Sequence, residues 1–502
     1  MKVLLVYPKY PDTFWSFRHA LAFTGKKAAF PPLGLLTIAA MLPKEWTLRL
    51  LDENIGEISD EDILWADLVF ISAMLAQSKA TVEMLARCRL FRRDTVAGGA
   101  MFTSDPDRFS GLVDHLVLGE AERSLPYFLE DLKQGHAKPV YASEAKVYCD
   151  IMISPIPRWD LLQGTMRSYS SVSLQFGKGC PHDCEFCNVT GLNGRIMRLK
   201  TATRVIEELS VMYYAGWRGS VFFADDNFIG HKKKAKGVLS EIAVFQQTYG
   251  YPFQFYTQVD ISLADDDELI SMMARAGFFR VFIGIETPEI ESLKGANKHL
   301  NAGVDMPASV KHLFQRGIQV QGGYVLGFDQ DTVETPRKMI DLIQTTGVLT
   351  AMVGPLQALP GTRLYHRLSA EGRLLGNSTG DNTDGTVNFT PKGMTREELA
   401  VGYRNVVSTI YSPEMYYGRL LTFLDEYRPN PLLRHHFSWG SMRAFVFSVV
   451  RIGILSQARS WYWRSFIETA RRNPAAFSAV VEHWIFRFHF DRVSRNLIKP
   501  ES

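Results

Sequence analysis

The rhythm of apolar residues limits this chain more than any other feature. Short apolar runs alternate with helix-length segments over residues 1–145 and, on a different scale, over 169–370, after which the alternation stops. In the first series the runs fall at 3–7, 48–51, 68–71, 95–97 and 116–118 and read as strands. Residues 33–42, apolar nearly all round and preceded by Pro31-Pro32, read as a buried helix starting at its prolines. Five parallel strands with crossover helices predict a doubly wound α/β sheet, which takes its ligand at the carboxyl ends of the strands. The positions to watch are therefore the loops at 10–17 and 72–77 (Ser72, Gln77), Gly98-Gly99 and Gly119-Glu120. Gly98-Gly99 lets backbone approach a ligand closely, or simply makes a tight turn.

Residues 146–168, with Pro155, Pro157 and Asp160, read as a linker. The second series has strand candidates at 171–176, 220–224, 253–259, 280–285, 319–326 and 350–358, each followed by a helical pattern. Six β/α units predict a partial barrel, because a closed one needs eight. From 371 to 502 the chain is mainly helical: 376–388 is a polar loop, and Thr395-Arg396-Glu397-Glu398 opens a helix toward Ile410. Three domains suit 502 residues at about 150 per domain.

Five cysteines are too few and too uneven for a disulfide scaffold, since Cys88 and Cys149 stand alone and read as small buried apolar residues. The other three, Cys180, Cys184 and Cys187, sit in Gly177-Lys178-Gly179-Cys180-Pro181-His182-Asp183-Cys184-Glu185-Phe186-Cys187, directly after the first strand of the second series. Three thiolates on one glycine-flanked loop can hold three irons of a cubane cluster and leave the fourth open. A structural zinc site would need a fourth donor, for which His182 is the nearest residue.

C-x3-C-x-aromatic-C at the end of the first strand of a partial barrel resembles the radical S-adenosylmethionine (SAM) enzymes, over about residues 171–368. The resemblance implies a 4Fe–4S cluster on the three cysteines, SAM as cofactor, and an external electron donor of flavodoxin or ferredoxin type. It places Phe186 beside adenine, Asp225 and Asp226 near the methionyl amine, Gly284 and Glu286 near ribose and methionine, and Gly323 and Val325 along adenine. An acidic helix N-cap is the other reading of Asp225-Asp226. Leu359-Pro360-Gly361-Thr362 is a turn that recurs in this group. A flavodoxin-like sheet ahead of such a barrel, with Phe30-Pro31-Pro32-Leu33-Gly34, Gly98-Gly99 and Gly119-Glu120-Ala121-Glu122, is similar to the cobalamin-binding branch. That similarity implies cobalamin contacts at Ser72, Gln77, Gly98, Gly99, Gly119 and Glu120. The D-x-H-x-x-G signature is absent, because Asp114-His115 has the wrong spacing, so no histidine is expected below cobalt. Asp381-Asn382-Thr383-Asp384-Gly385 and Gly402-Tyr403-Arg404 resemble the C-terminal domain of hopanoid C2-methylase-like proteins. The resemblance implies methyl transfer to an unactivated carbon of an apolar, lipid- or tetrapyrrole-like substrate. Cyclisation or rearrangement is the alternative, and a non-catalytic corrinoid carrier the remote one.

Charge separates the tail from the rest. Residues 428–502 hold 12 Lys and Arg against 4 Asp and Glu, whereas 1–427 hold 44 against 49. Nucleic acid is therefore not expected as a partner. Arg443, Arg451, Arg459, Arg464, Arg471 and Arg472 interleave with Phe445, Phe447, Trp461, Trp463 and Phe466, a mixture suited either to peripheral contact with the inner membrane or to ordinary helices with snorkelling arginines. No apolar run reaches a membrane span and residues 1–8 read as a strand, so a cytoplasmic location is expected.

Overall fold

A computed structural model describes residues 1–144, 147–433 and 439–498. Lys146, at the start of the expected linker, and residues 434–438 and 499–502 of the basic tail lie outside the described residues.

The N-terminal sheet has six parallel strands: β1 (Lys2–Tyr7), β2 (Thr47–Asp52), β3 (Leu68–Ser72), β4 (Asp94–Gly98), β5 (His115–Leu118) and β6 (Val140–Ala142). Their order is β2-β1-β3-β4-β5-β6. Leu4, Val6, Val69 and Ile71 pack into one core and Val3, Leu5, Leu68 and Phe70 into another, so both faces are covered. This is why the strands read as unbroken apolar runs. The sixth strand escapes sequence reading because its three residues show no period. The order reverses between β1 and β3, the switch point at whose carboxyl edge such sheets take their ligands.

The second sheet starts at β7 (Ser171–Leu174), which leads into an antiparallel ladder of β8 (Gly177–Lys178) and β9 (Arg198–Leu199). Then come β10 (Gly219–Phe223), β11 (Phe253–Val259), β12 (Phe278–Glu286), β13 (Gln319–Leu326) and β14 (Thr350–Pro355). All six long strands are parallel, in the unreversed order β14-β13-β12-β11-β10-β7. Every crossover steps the same way, as in a β/α barrel left open. Along β11, Phe253, Phe255, Thr257 and Val259 are buried under the helices, while Gln254, Tyr256 and Gln258 alternate with them on the other face.

The expected helix from Thr395 is present over Arg396–Ile410, with Thr395 and Glu398 forming a full capping box. The helices Trp439–Ser448, Arg459–Arg472 and Phe477–Ile498 follow. Phe14, Phe23 and Leu36 share one core with the second sheet and these helices, so the loop after β1 is anchored on the C-terminal region. Phe14 meets Phe490 at 5.3 Å between ring centres, and Phe490 stacks on Tyr411 at 5.0 Å. Among the described residues no helix is long and apolar enough to cross a membrane.

Candidate functional site

The cysteine loop is shaped by backbone donors and distant carboxylates. Gly179 has φ +99°, and a Cβ there would meet the Ile196 carbonyl at 2.8 Å, so only glycine fits ahead of Cys180. Asp225, at the end of β10, accepts from the N–H groups of Phe176 (2.8 Å) and Gly177 (3.0 Å). Those bonds end β7 at Leu174, two residues before its apolar run does. Burial pushes the Asp225 carboxyl up to about 8 against those two donors. Asp226 accepts from Gly179 N–H and from Asn193 Nδ2, both at 2.9 Å. Neither aspartate caps a helix: the next one, Lys232–Thr248, is capped by His231. Both carboxylates grip the loop itself.

The backbone N–H groups of His182 and Val189 favour the thiolate forms of Cys180 and Cys187. Burial pushes all three thiols up, Cys187 to about 12, while the Lys298 cation opposes it. His182 Nε2 is 2.9 Å from Asp260 Oδ2, which also accepts from Asn227 at 2.8 Å. Burial would raise the Asp260 carboxyl, but its hydrogen bonds from His182, Ser262 and Asn227 outweigh it and hold the group well below the usual range. His182 is thus committed to the end of β11, and the donor set is three thiolates, which suits a cubane cluster with one open iron.

Glu286 ends β12 in the left-handed region, at φ +71°. Its carboxylate folds back over Gly284, where a Cβ would lie 2.3 Å from Oε1, and pairs with Lys298 Nζ at 2.9 Å. Lys298, Cys184, His182 and Arg195 line a cavity of about 220 Å³. Lys298 carries no motif and was invisible in the sequence; its role follows only from the fold. A Cβ on Gly323 would lie 2.6 Å from the Phe282 ring, and part-buried Val325 lies two residues on along β13. Phe186 meets Phe328 edge-on at 5.7 Å, and the two line a second cavity of about 250 Å³ with Leu356, Leu364 and Arg367. Arg367 holds Glu185 through Nε at 2.5 Å and Asp329 at 2.7 Å, fastening the cysteine loop to the C-terminal region.

At the carboxyl edge of the N-terminal sheet the glycines answer to their own neighbours. A Cβ would lie 2.6 Å from the Val117 carbonyl at Gly98, 2.7 Å from Ser72 Oγ at Gly99 and 2.6 Å from Ser143 Oγ at Gly119. Gln77 is buried and spent, donating to the Pro8 carbonyl and accepting from Met74 N–H, so it joins the loops after β1 and β3. Glu120 is likewise spent: it accepts from Cys149 N–H and Arg198 Nη1, each at 2.6 Å, with Lys178 at 3.7 Å. Burial would raise its carboxyl, yet the Cys149 bond, Lys178 and Arg198 hold it below its ordinary value. It ties the N-terminal sheet to the β8–β9 ladder. His115 opens β5 and bonds the Lys138 carbonyl.

Two aromatic residues from segments singled out in the sequence, the loop 10–17 and Phe30-Pro31-Pro32, reach the second sheet. Trp15, on the loop after β1, lies 5.3 Å from Phe282 of β12 and donates to Asn382 Oδ1 at 3.4 Å. Phe30 lies 5.2 Å from Phe222 of β10 and 6.3 Å from Tyr256 of β11.

Comparison with known proteins agrees with this geometry. Residues 174–343 match the radical SAM superfamily and 362–501 a domain of unknown function, DUF4070. An uncharacterized methyltransferase, sll1242, of Synechocystis is 36% identical over 97% of this chain and 90% of its own. The hopanoid C-2 methylase of Rhodopseudomonas palustris is 34% identical over 82% of this chain and 77% of its own. Among solved structures, the radical SAM methyltransferase TsrM of Kitasatospora setae superposes with a TM-score of 0.61 at 15% identity, covering 95% of this chain and 99% of that one. The cobalamin-dependent enzyme OxsB superposes at 0.64 and 13%, covering 99% and 80%. The fold is theirs, and the two sequence relatives match at 34–36% identity over more than three quarters of each chain, so the chain belongs to the radical SAM superfamily, in the family of the hopanoid C-2 methylase.

Proposed function

We propose that this enzyme is a cobalamin-dependent C-methyltransferase acting on an unactivated carbon of an apolar, ring-rich substrate. The observation that carries the reading is an aromatic seam in two parts, Trp15 on Phe282 and Phe30 on Phe222 and Tyr256, where the connection between β1 and β2 meets the second sheet. A substrate held there touches the carboxyl edge of one sheet and the concave face of the other. Relatives support the substrate class: hopanoid C-2 methylase at 34% identity and bacteriochlorophyllide d C-12(1)-methyltransferase at 23%.

When bound, the cluster cleaves SAM to a 5′-deoxyadenosyl radical and cobalamin supplies the methyl group. Cys180, Cys184 and Cys187 hold the cluster, and Asp225 and Asp226 keep their loop in shape. The Lys298 cation, balanced by Glu286, offsets thiolate charge beside Cys184. Phe186, Gly323 and Val325 flank adenine, and Gly284 makes room for the Glu286 carboxylate on the ribose and methionyl side. Ser72, Gly98, Gly99 and Gly119 form the edge that cobalamin approaches, with Gln77 and Glu120 acting through the loops they fix. Trp15 and Met74 are 45% and 50% exposed at that edge, apolar surface of the kind a flat macrocycle covers. A flavodoxin- or ferredoxin-type donor supplies electrons. Incubation with methyl-labelled SAM and hopanoid or tetrapyrrole acceptors should label product. Unlabelled, cyclised product would instead favour the second reading, to which the anaerobic magnesium-protoporphyrin IX monomethyl ester cyclase of Synechocystis, 22% identical, lends weight.

An apolar acceptor also suits peripheral contact with a membrane. Trp439 is 90% and Leu455 74% exposed, and Phe447, Ile454, Trp463 and Ile467 are exposed near them. Exposed Arg451, Arg459 and Arg464 are interspersed, and no acidic residue occurs from 439 to 467. Phe445, Trp461 and Phe466 instead pack inward, which is the ordinary role of such residues. Liposomes containing anionic lipid should co-sediment the protein, and the double variant Ile454→Ser, Leu455→Ser should stay in the supernatant.

A further inference from the structure

Asp12, His19 and His489 bring a carboxylate and two imidazoles together far from the cysteines. Their ligand atoms all lie within 4.8 Å of one another. Asp12 Oδ2 is 2.6 Å from His19 Nε2, and both residues are part-buried and open to entry. His489, on the helix Phe477–Ile498, is fully buried between neighbours: its ring stacks on Phe17 at 5.6 Å and lies 5.6 Å from that of His19. Its Nε2 is 3.1 Å from the Phe14 carbonyl, and its Nδ1 has no partner. A buried imidazole that gives one N–H to a carbonyl and leaves the other nitrogen bare is arranged as a metal-ligating histidine is. A bare buried nitrogen also costs free energy unless something fills its lone pair.

We propose that Asp12, His19 and His489 bind one divalent transition-metal ion. Two imidazoles and one carboxylate select ions such as zinc over magnesium or calcium, which take oxygen ligands. The ion joins the loop after β1 to the C-terminal helix and so fixes the segment that carries Trp15 at the seam. The site makes no use of the cluster cysteines, so its failure and that of the radical SAM reading are separable.

The test is zinc content and zinc X-ray absorption of the full-length holoenzyme after dialysis with zinc and then without it. About one zinc per chain is expected, with nitrogen and oxygen neighbours at about 2.0–2.1 Å and no sulfur. His489→Gln and, as a milder change at a part-buried position, His19→Asn should each lower retained zinc at least about tenfold while cluster iron stays unchanged. No retained zinc, a sulfur shell at about 2.3 Å, or undiminished zinc in both variants would overturn the proposal.

Discussion

The two sheets have the same number of strands, all parallel, yet they present ligands differently. One reverses its order between β1 and β3 and offers an edge; the other never reverses and curls into a concave face. An edge holds a ligand with loops, as Ser72, Gly98 and Gly99 sit at strand ends, whereas a concave face holds one with side chains along the strands. On the function proposed above, the radical would be generated against the curled sheet and the methyl donor would rest at the edge of the other, with the contacts Trp15–Phe282 and Phe30–Phe222 joining the two. On that reading cleavage and transfer are separate tasks of separate sheets.

Four changes would break or sharpen that separation. Replacing Cys180, Cys184 and Cys187 with alanine should abolish both cluster absorbance and SAM cleavage; retained 5′-deoxyadenosine formation would remove the curled sheet from cleavage altogether. Next, Trp15→Ala should leave 5′-deoxyadenosine formation within a few-fold but lower methylated product about a hundredfold, because misplacement by an ångström costs that much. Equal loss of both would mean the sheets do not divide the work. Third, Glu120→Gln removes the carboxylate between Arg198 and Lys178 at the junction of the sheets; Arg198 keeps the Cys149 and Asn193 carbonyls and Lys178 keeps Glu122, so the loss is that of a charged hydrogen bond, about 2 kcal/mol. The urea midpoint of wild type and variant reads that loss, and an unchanged midpoint would mean the junction is held elsewhere.

The smallest effect concerns acid. His483 is fully buried against Phe423, both of its ring nitrogens lack partners, and burial brings its pKa down to about 3. A folded-state pKa below the unfolded value of about 6.5 gives stability that is complete above pH 6.5 and falls as pH drops toward 3. At pH 5 about 2 kcal/mol of it is gone. His483→Leu should flatten the stability profile between pH 6.5 and 4 in urea titrations, and an identical slope would clear this histidine.

Much of this was legible beforehand because it is local. All six long strands of the second sheet could be read, since strand and helix periods differ within a few residues. The cysteine triad could be read because its three donors share one loop. The β8–β9 ladder could not, having two residues per strand. Asp225 and Asp226 were visible as acids at a strand end, but their partners are backbone N–H groups 48 and 47 residues earlier. Gln77 and Glu120 were expected at a ligand and are instead consumed by hydrogen bonds inside the fold. Trp15 and Phe30 fell in segments the sequence marked, but their ring partners did not, and Lys298 matters only through partners that folding brings near, so no spacing announces it.

The grip of Arg367 on Glu185 spans 182 residues of chain. At ribosomal speed that stretch takes roughly 10–40 s to make. The cysteine loop therefore leaves the ribosome well before the residues that shape it, Asp225 and then Arg367. Iron delivered before then would meet three cysteines on a loop not yet gripped by Asp225 or Arg367.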